Sequence, residues 1–111
     1  GRGAHRADAP MTLRRKERVD ADTVRADVEI VNQLGLHARA AARFVETASK
    51  FVAEVTVTNG DESVAGKSIL GLMMLAAGQG TQLSLVATGP DAEEAIDALV
   101  ELIAQRFYES A

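Results

Sequence analysis

Residues 24–49 read VRADVEIVNQLGLHARAAARFVETAS, and within this stretch the apolar period changes from two to about 3.6. Val24, Ala26, Val28 and Ile30 alternate with Arg25, Asp27 and Glu29, the pattern of a strand with one buried face. Asn32-Gln33-Leu34-Gly35 interrupts the alternation as a turn. From Ala38 to Ser49 the apolar residues Ala41, Phe44, Val45 and Ala48 follow i, i+3, i+4, i+7, which predicts an amphipathic helix with His37 at its N-cap.

The same two periods recur downstream. Phe51, Ala53, Val55 and Val57 alternate with polar residues, Asn59-Gly60 is a hairpin turn, and residues 62–65 are a short return strand. Ser68 to Leu75 reads as a short helix ending before Gly78 and Gly80. Leu83, Leu85, Val86 and Ala87 mark a fourth strand, closed by Gly89-Pro90. Asp91 is expected to cap a long helix with Ile96, Leu99, Val100, Ile103 and Phe107 at helical spacing. The order β-α-β-β-α-β-α predicts an α+β domain, its mostly antiparallel sheet covered by helices on one face.

Residues 1–22 show no sustained periodicity and are read as a flexible N-terminal extension or added residues, because Gly1 is not a natural initiator. Residues 23–111 are then the folded domain. A chain of 111 residues has room for one domain, and 47% apolar with 25% charged residues is ordinary globular composition. The lack of cysteine removes disulfides and thiol nucleophiles and fits a cytoplasmic protein. The net charge of −4 is uneven: residues 1–24 hold six basic and four acidic side chains, the rest six basic and twelve acidic. No basic stripe for nucleic acid is present, and Arg14-Arg15-Lys16-Glu17-Arg18 reads as part of a solvated tail. The longest apolar run, Ile69 to Ala77, is broken by Gly71 and too short for membrane insertion.

His37 carries the chemistry. The first backbone N–H groups of a helix have no internal partner and the peptide dipoles add positive potential there, so a phosphate beside His37 would meet donors and favourable field together. The backbone at Ala38 and Arg39 would supply such donors, and the Arg39 guanidinium could bind phosphate oxygens in a forked geometry. Local chemistry alone leaves two readings equally open, this one and a tolerated N-cap histidine beside a solvated arginine. The helix at Ser68–Leu75 is apolar almost all round. It can bury one stripe, Leu72 and Leu75 with Ile69, which leaves Leu70 and Met73 or Met74 partly exposed as a surface for partners; a deeply buried helix is the alternative. Gly66-Lys67-Ser68 does not make a nucleotide-binding P-loop, because the glycine required five residues before Gly66 is replaced by Asp61. His5 stands far from other ligand-type residues, and Asp91, Glu93, Glu94 and Asp97 suit a helix start, so no metal site is expected.

Residues 35–41 (Gly-Leu-His-Ala-Arg-Ala-Ala) and 66–73 (Gly-Lys-Ser-Ile-Leu-Gly-Leu-Met) resemble the two signatures of HPr, the histidine-containing phosphocarrier family of the bacterial phosphoenolpyruvate phosphotransferase system. The resemblance covers about Val24 to Glu109. It implies an open-faced β-sandwich with a four-stranded antiparallel sheet and three helices on one side. It also implies that His37 accepts a phosphoryl group on Nδ1 from enzyme I and passes it to an A-type acceptor domain, assisted by Arg39. Ile69, Leu70 and Met73 would dock partners, and Ser68 would match a regulatory serine modified by HPr kinase/phosphorylase. Such a protein is a monomeric carrier that needs no cofactor, rather than an enzyme turning over free small molecules. A purely regulatory binding module is the alternative. Ala40 stands where the family often has proline, which the first turn of a helix accommodates equally well. Sugar-uptake and nitrogen-related versions of the scaffold both remain open.

Overall fold

Three strands place apolar side chains in register on one face, and this fixes the fold. A computed structural model describes residues 11–109. Its elements are β1 (Leu13–Asp20), β2 (Thr23–Glu29), α1 (Ala38–Ala48), β3 (Glu54–Asn59), β4 (Glu62–Ala65), α2 (Ile69–Met74), β5 (Gln82–Thr88) and α3 (Ala92–Ala104). Every pairing is antiparallel, in the order β1-β2-β5-β3-β4. Val24 and Val55 both face Ala87, Ala26 and Val57 both face Leu85, and Val28 faces Leu83. These rows are buried, whereas Arg25, Thr56 and Ser84 lie on the other face. The alternation therefore assigns each strand one wet side and one dry side.

The helices close the dry side. α1 buries Ala40, Ala41, Phe44 and Ala48, and α3 buries Ile96, Leu99, Val100 and Ile103. α3 lies against β2 and β5, while α1 packs on α2 and α3. Burying one such Leu or Ile contributes about 1.5–3 kcal/mol, so the contact between the helices and the sheet is a major source of the domain's cohesion.

The sheet has five strands where four were expected. Residues 13–20, expected to lie in an extension outside the fold, pair with β2 as an edge strand. The anchor is Thr12, which is fully buried; its hydroxyl donates to the Glu29 carbonyl, and its own carbonyl accepts from Glu29 N–H at 2.9 Å. An Asp20 side-chain oxygen accepts from Asp22 N–H at 2.9 Å and folds the connecting turn. The part of the expected extension at residues 1–10, His5 included, lies outside the described residues.

Asp91 occupies the N-cap position of α3, yet its carboxylate does not cap that helix. It accepts instead from the N–H groups of Val52 and Ala53, at 2.9 and 2.8 Å. The segment before β3 is thereby tied to α3, which is why the strand begins at Glu54 although Phe51 and Ala53 share its alternation. Hydrogen bonding to Val52, with Ala53 assisting, holds the Asp91 carboxyl below its ordinary range.

Candidate functional site

Gly35 ends the turn between β2 and α1 with φ +69°. A Cβ there would approach the Ala77 carbonyl oxygen to 2.6 Å, so the loop after α2 is pressed against this turn. Leu36 N–H donates to the same carbonyl at 2.8 Å. The next residue, His37, is thus delivered to the start of α1 by contacts on both sides. Its backbone is extended and its carbonyl accepts from Ala41 N–H at 2.8 Å. Its side chain makes no capping hydrogen bond, and no acidic residue stands in the first turn. Among the described residues the N–H groups of Ala38, Arg39 and Ala40 have no hydrogen-bond partner. The helix start is therefore an uncompensated cluster of donors.

An open cleft of about 640 Å³ lies over this end, bordered by His37, Arg39, Arg43, Tyr108 and Glu109. The His37 side chain is 30% exposed, but its Nε2 is buried and without a hydrogen bond. The accessible edge of the ring is consequently the one that carries Nδ1. Arg39 is exposed and forms no ion pair among the described residues.

The far wall comes from the end of the chain. Phe107 was expected to continue the helical spacing of α3, but the helix stops at Ala104. Arg106, Phe107 and Tyr108 all have positive φ, between 57° and 58°, in a left-handed turn. That conformation costs about 1–2 kcal/mol per non-glycine residue. Several contacts hold it: the Phe107 side chain is 1% exposed, the Arg43 guanidinium donates to the Phe107 carbonyl, and Arg106 donates to the Val31 carbonyl at 2.6 Å. The turn brings Glu109 back over the β2–α1 connection. Glu109 Oε1 accepts from Asn32 Nδ2 at 2.8 Å and lies 3.5 Å from His37 Nε2, while Oε2 accepts from Leu34 N–H at 3.3 Å. The hydrogen bond from Asn32 foremost, then that from Leu34 and the nearby imidazole, hold the Glu109 carboxyl below its ordinary range.

The structure therefore brings His37 and Arg39 together with three groups that the sequence did not single out, Asn32, Arg43 and Glu109. Nothing in residues 105–109 marked Glu109 locally, because its position depends on a left-handed turn of ordinary residues. At α2, Ser68 is the N-cap and its hydroxyl accepts from Gly71 N–H at 3.0 Å. Leu72 and Leu75 are buried as expected, but Ile69 joins the exposed set rather than the buried stripe. Ile69, Leu70, Met73 and Met74 form that set, with Leu70 70% exposed. The loop leaving α2 at Ala76–Gly78 borders His37, whereas Ser68 stands at the helix's other end. No helix among the described residues is long and apolar enough to cross a membrane.

A single-faced α+β sheet layer that presents a histidine at the start of its first helix defines a class of small domains, and residues 24–105 match the family model described as the PTS HPr component phosphorylation site. Phosphocarrier protein HPr of Neisseria meningitidis serogroup A is 52% identical over 86 residues, covering 78% of this chain and 97% of the relative. Phosphocarrier protein NPr of Shewanella violacea is 43% identical, covering 76% and 92%. The crystal structure of HPr-C-His from Thermoanaerobacter tengcongensis superposes with a TM-score of 0.75 at 48% identity, covering 78% and 98%. The chain belongs to the HPr family of phosphocarrier proteins of the phosphotransferase system.

Proposed function

We propose that this chain carries a phosphoryl group on His37, accepting it from phosphorylated enzyme I and delivering it to an A-type acceptor domain. The observation that carries this reading is the environment of the ring. One nitrogen is buried, the other edge opens on a cleft, and the cleft floor is a helix start whose N–H donors are unused. Arg39 adds a cation with no internal partner among the described residues. Together these groups can hold three phosphoryl oxygens without enclosing them, which suits a group that must leave again. Ile69, Leu70 and Met73 supply an exposed apolar surface on α2, the helix whose outgoing loop borders His37.

Ser68 acts in this reading as a brake. Its hydroxyl caps α2, and a phosphate there would add near-dianionic charge next to the exposed apolar residues. Enzyme I would then dock less well. The reading is tested by incubating the chain with enzyme I and phosphoenolpyruvate and measuring its mass. One acid-labile, base-stable phosphate is expected, absent from His37→Ala. Labelling of His37→Ala at the wild-type rate would overturn the assignment. A folded wild-type chain that takes no phosphate would favour a purely regulatory binding module.

A further inference from the structure

We propose that Glu109 is the positioning residue of this site: its carboxylate keeps the proton of His37 on Nε2 and leaves Nδ1 as the nucleophilic nitrogen. The inference rests on the carrier reading above and names a residue that reading does not use.

A neutral imidazole has one nitrogen that donates and one that accepts, and the neighbour of one nitrogen decides the role of the other. His37 Nε2 is buried with no hydrogen bond, so burial there is costly unless a partner closes on it. The Glu109 carboxylate is the charged group beside it, with Oε1 3.5 Å away. A small rotation of the ring brings Nε2–H to that oxygen, and a carboxylate can only accept. A proton on Nε2 is therefore favoured, and the lone pair falls on the open edge at Nδ1.

Glu109 is itself held in place. Asn32 Nδ2 donates to Oε1 and Leu34 N–H to Oε2, so both oxygens are fixed to the turn that delivers His37. The left-handed turn at residues 106–108 is clamped by Arg43 and Arg106, which bond carbonyls at Phe107 and Val31. A carboxylate fixed on both oxygens and carried by an over-determined tail is placed to orient a ring rather than to move with it.

The same geometry follows the charge through the transfer. The Nδ1 lone pair forms the bond to phosphorus as the donor's bond to phosphorus breaks, and that electron pair leaves on the donor. The Nε2 proton stays on His37. Positive charge grows on the ring as Nδ1 gives up its lone pair, close to the Glu109 carboxylate, so the attraction strengthens along the reaction.

The test uses the full chain labelled with ¹⁵N-histidine. In the wild type, His37 should show Nε2 protonated and Nδ1 bare, and enzyme I with phosphoenolpyruvate should label Nδ1. Glu109→Ala should move the His37 nitrogen shifts toward a mixed tautomer and slow labelling by about tenfold, the usual scale for losing an orienting partner. Glu109→Gln keeps one oxygen that can serve Asn32 and His37 together but loses the charge and the acceptor for Leu34 N–H, and should restore the tautomer more fully than the rate. Thermal unfolding of each variant reports on the fold separately. Wild-type His37 with its proton on Nδ1, or Glu109→Ala with unchanged shifts and rate, would overturn the role of Glu109. A wild-type chain with the expected tautomer and no labelling would overturn the carrier reading alone.

Discussion

Lys16 of the edge strand reaches α3, with its Nζ 2.7 Å from an Asp97 carboxylate oxygen and 3.1 Å from one of Glu93. Arg18 joins Glu93 at 2.8 Å from the next outward position but one. Two basic side chains of the edge strand are thus met inside the molecule by the acidic start of α3. Hydrogen bonding to Asp97 foremost, with Glu93 assisting, raises the Lys16 ammonium above its ordinary range. Lys16→Glu should lower Tm at low ionic strength, and half-molar salt should shrink the difference because these side chains are largely exposed. A Tm difference that is independent of salt would argue against a charge clasp.

Asp91 gives the fold a pH dependence with a defined sign. Its carboxylate accepts from Val52 and Ala53 N–H, and its folded pKa lies below the unfolded one. The stability it contributes is complete above the unfolded value, near 3.8, and is lost as pH falls through the folded value. Asp91→Asn should flatten the acid limb of a plot of Tm against pH. An unchanged acid limb would mean that the contact contributes nothing through its charge.

α2 separates stability from docking within six residues. Leu72 is fully buried, and Leu72→Ala should cost about 2–5 kcal/mol in urea denaturation. Leu70 is mostly exposed, so Leu70→Ala should change stability by no more than about 0.5 kcal/mol while slowing phosphoryl transfer from enzyme I. Comparable stability losses in both variants would contradict this division.

Gly35→Ala should disturb the site from behind. The substitution imposes an unfavourable left-handed conformation, costing about 1–2 kcal/mol, and drives a methyl group against the Ala77 carbonyl. The loop must move, and His37 with it. Lower stability together with slower labelling of His37 is expected; lower stability with wild-type labelling would show that the ring's position does not depend on this contact.

Ser68→Ala removes the hydroxyl that caps α2 and should cost about 1 kcal/mol, whereas Ser68→Asp keeps a capping oxygen and should retain most of the stability. If Ser68 phosphorylation acts as proposed, through charge rather than folding, Ser68→Asp should also slow transfer from enzyme I while Ser68→Ala does not. Equal rates in the two variants would remove the electrostatic explanation.

Periodicity resolved the elements that bury a face, and failed where burial is slight. β2, β3 and β5 alternate cleanly because each has one dry side, and α1 and α3 carry broad apolar stripes. β1 has no such alternation: only Leu13 and Glu17 are partly buried, and the strand is held by backbone pairing, Thr12 and ion pairs. At the site, His37 and Arg39 were legible because adjacent residues share a helix start. Glu109 was not, since its approach to Asn32 spans 77 residues and depends on positive φ at residues that ordinarily avoid it.

β1 also changes what the sheet shows to other molecules. The outermost strands of a sheet carry backbone groups without partners, and a neighbouring chain can extend the ladder there. Without β1 that border would be β2, with its regular apolar alternation. With it, the border carries Arg14, Arg15, Lys16, Glu17, Arg18 and Asp20 within eight residues, and a second copy approaching along it would have to desolvate these charges and disturb the ion pairs of all four cations. The segment that looked superfluous to the fold gives the sheet a boundary that discourages copies of the chain from joining end on end into a longer ladder.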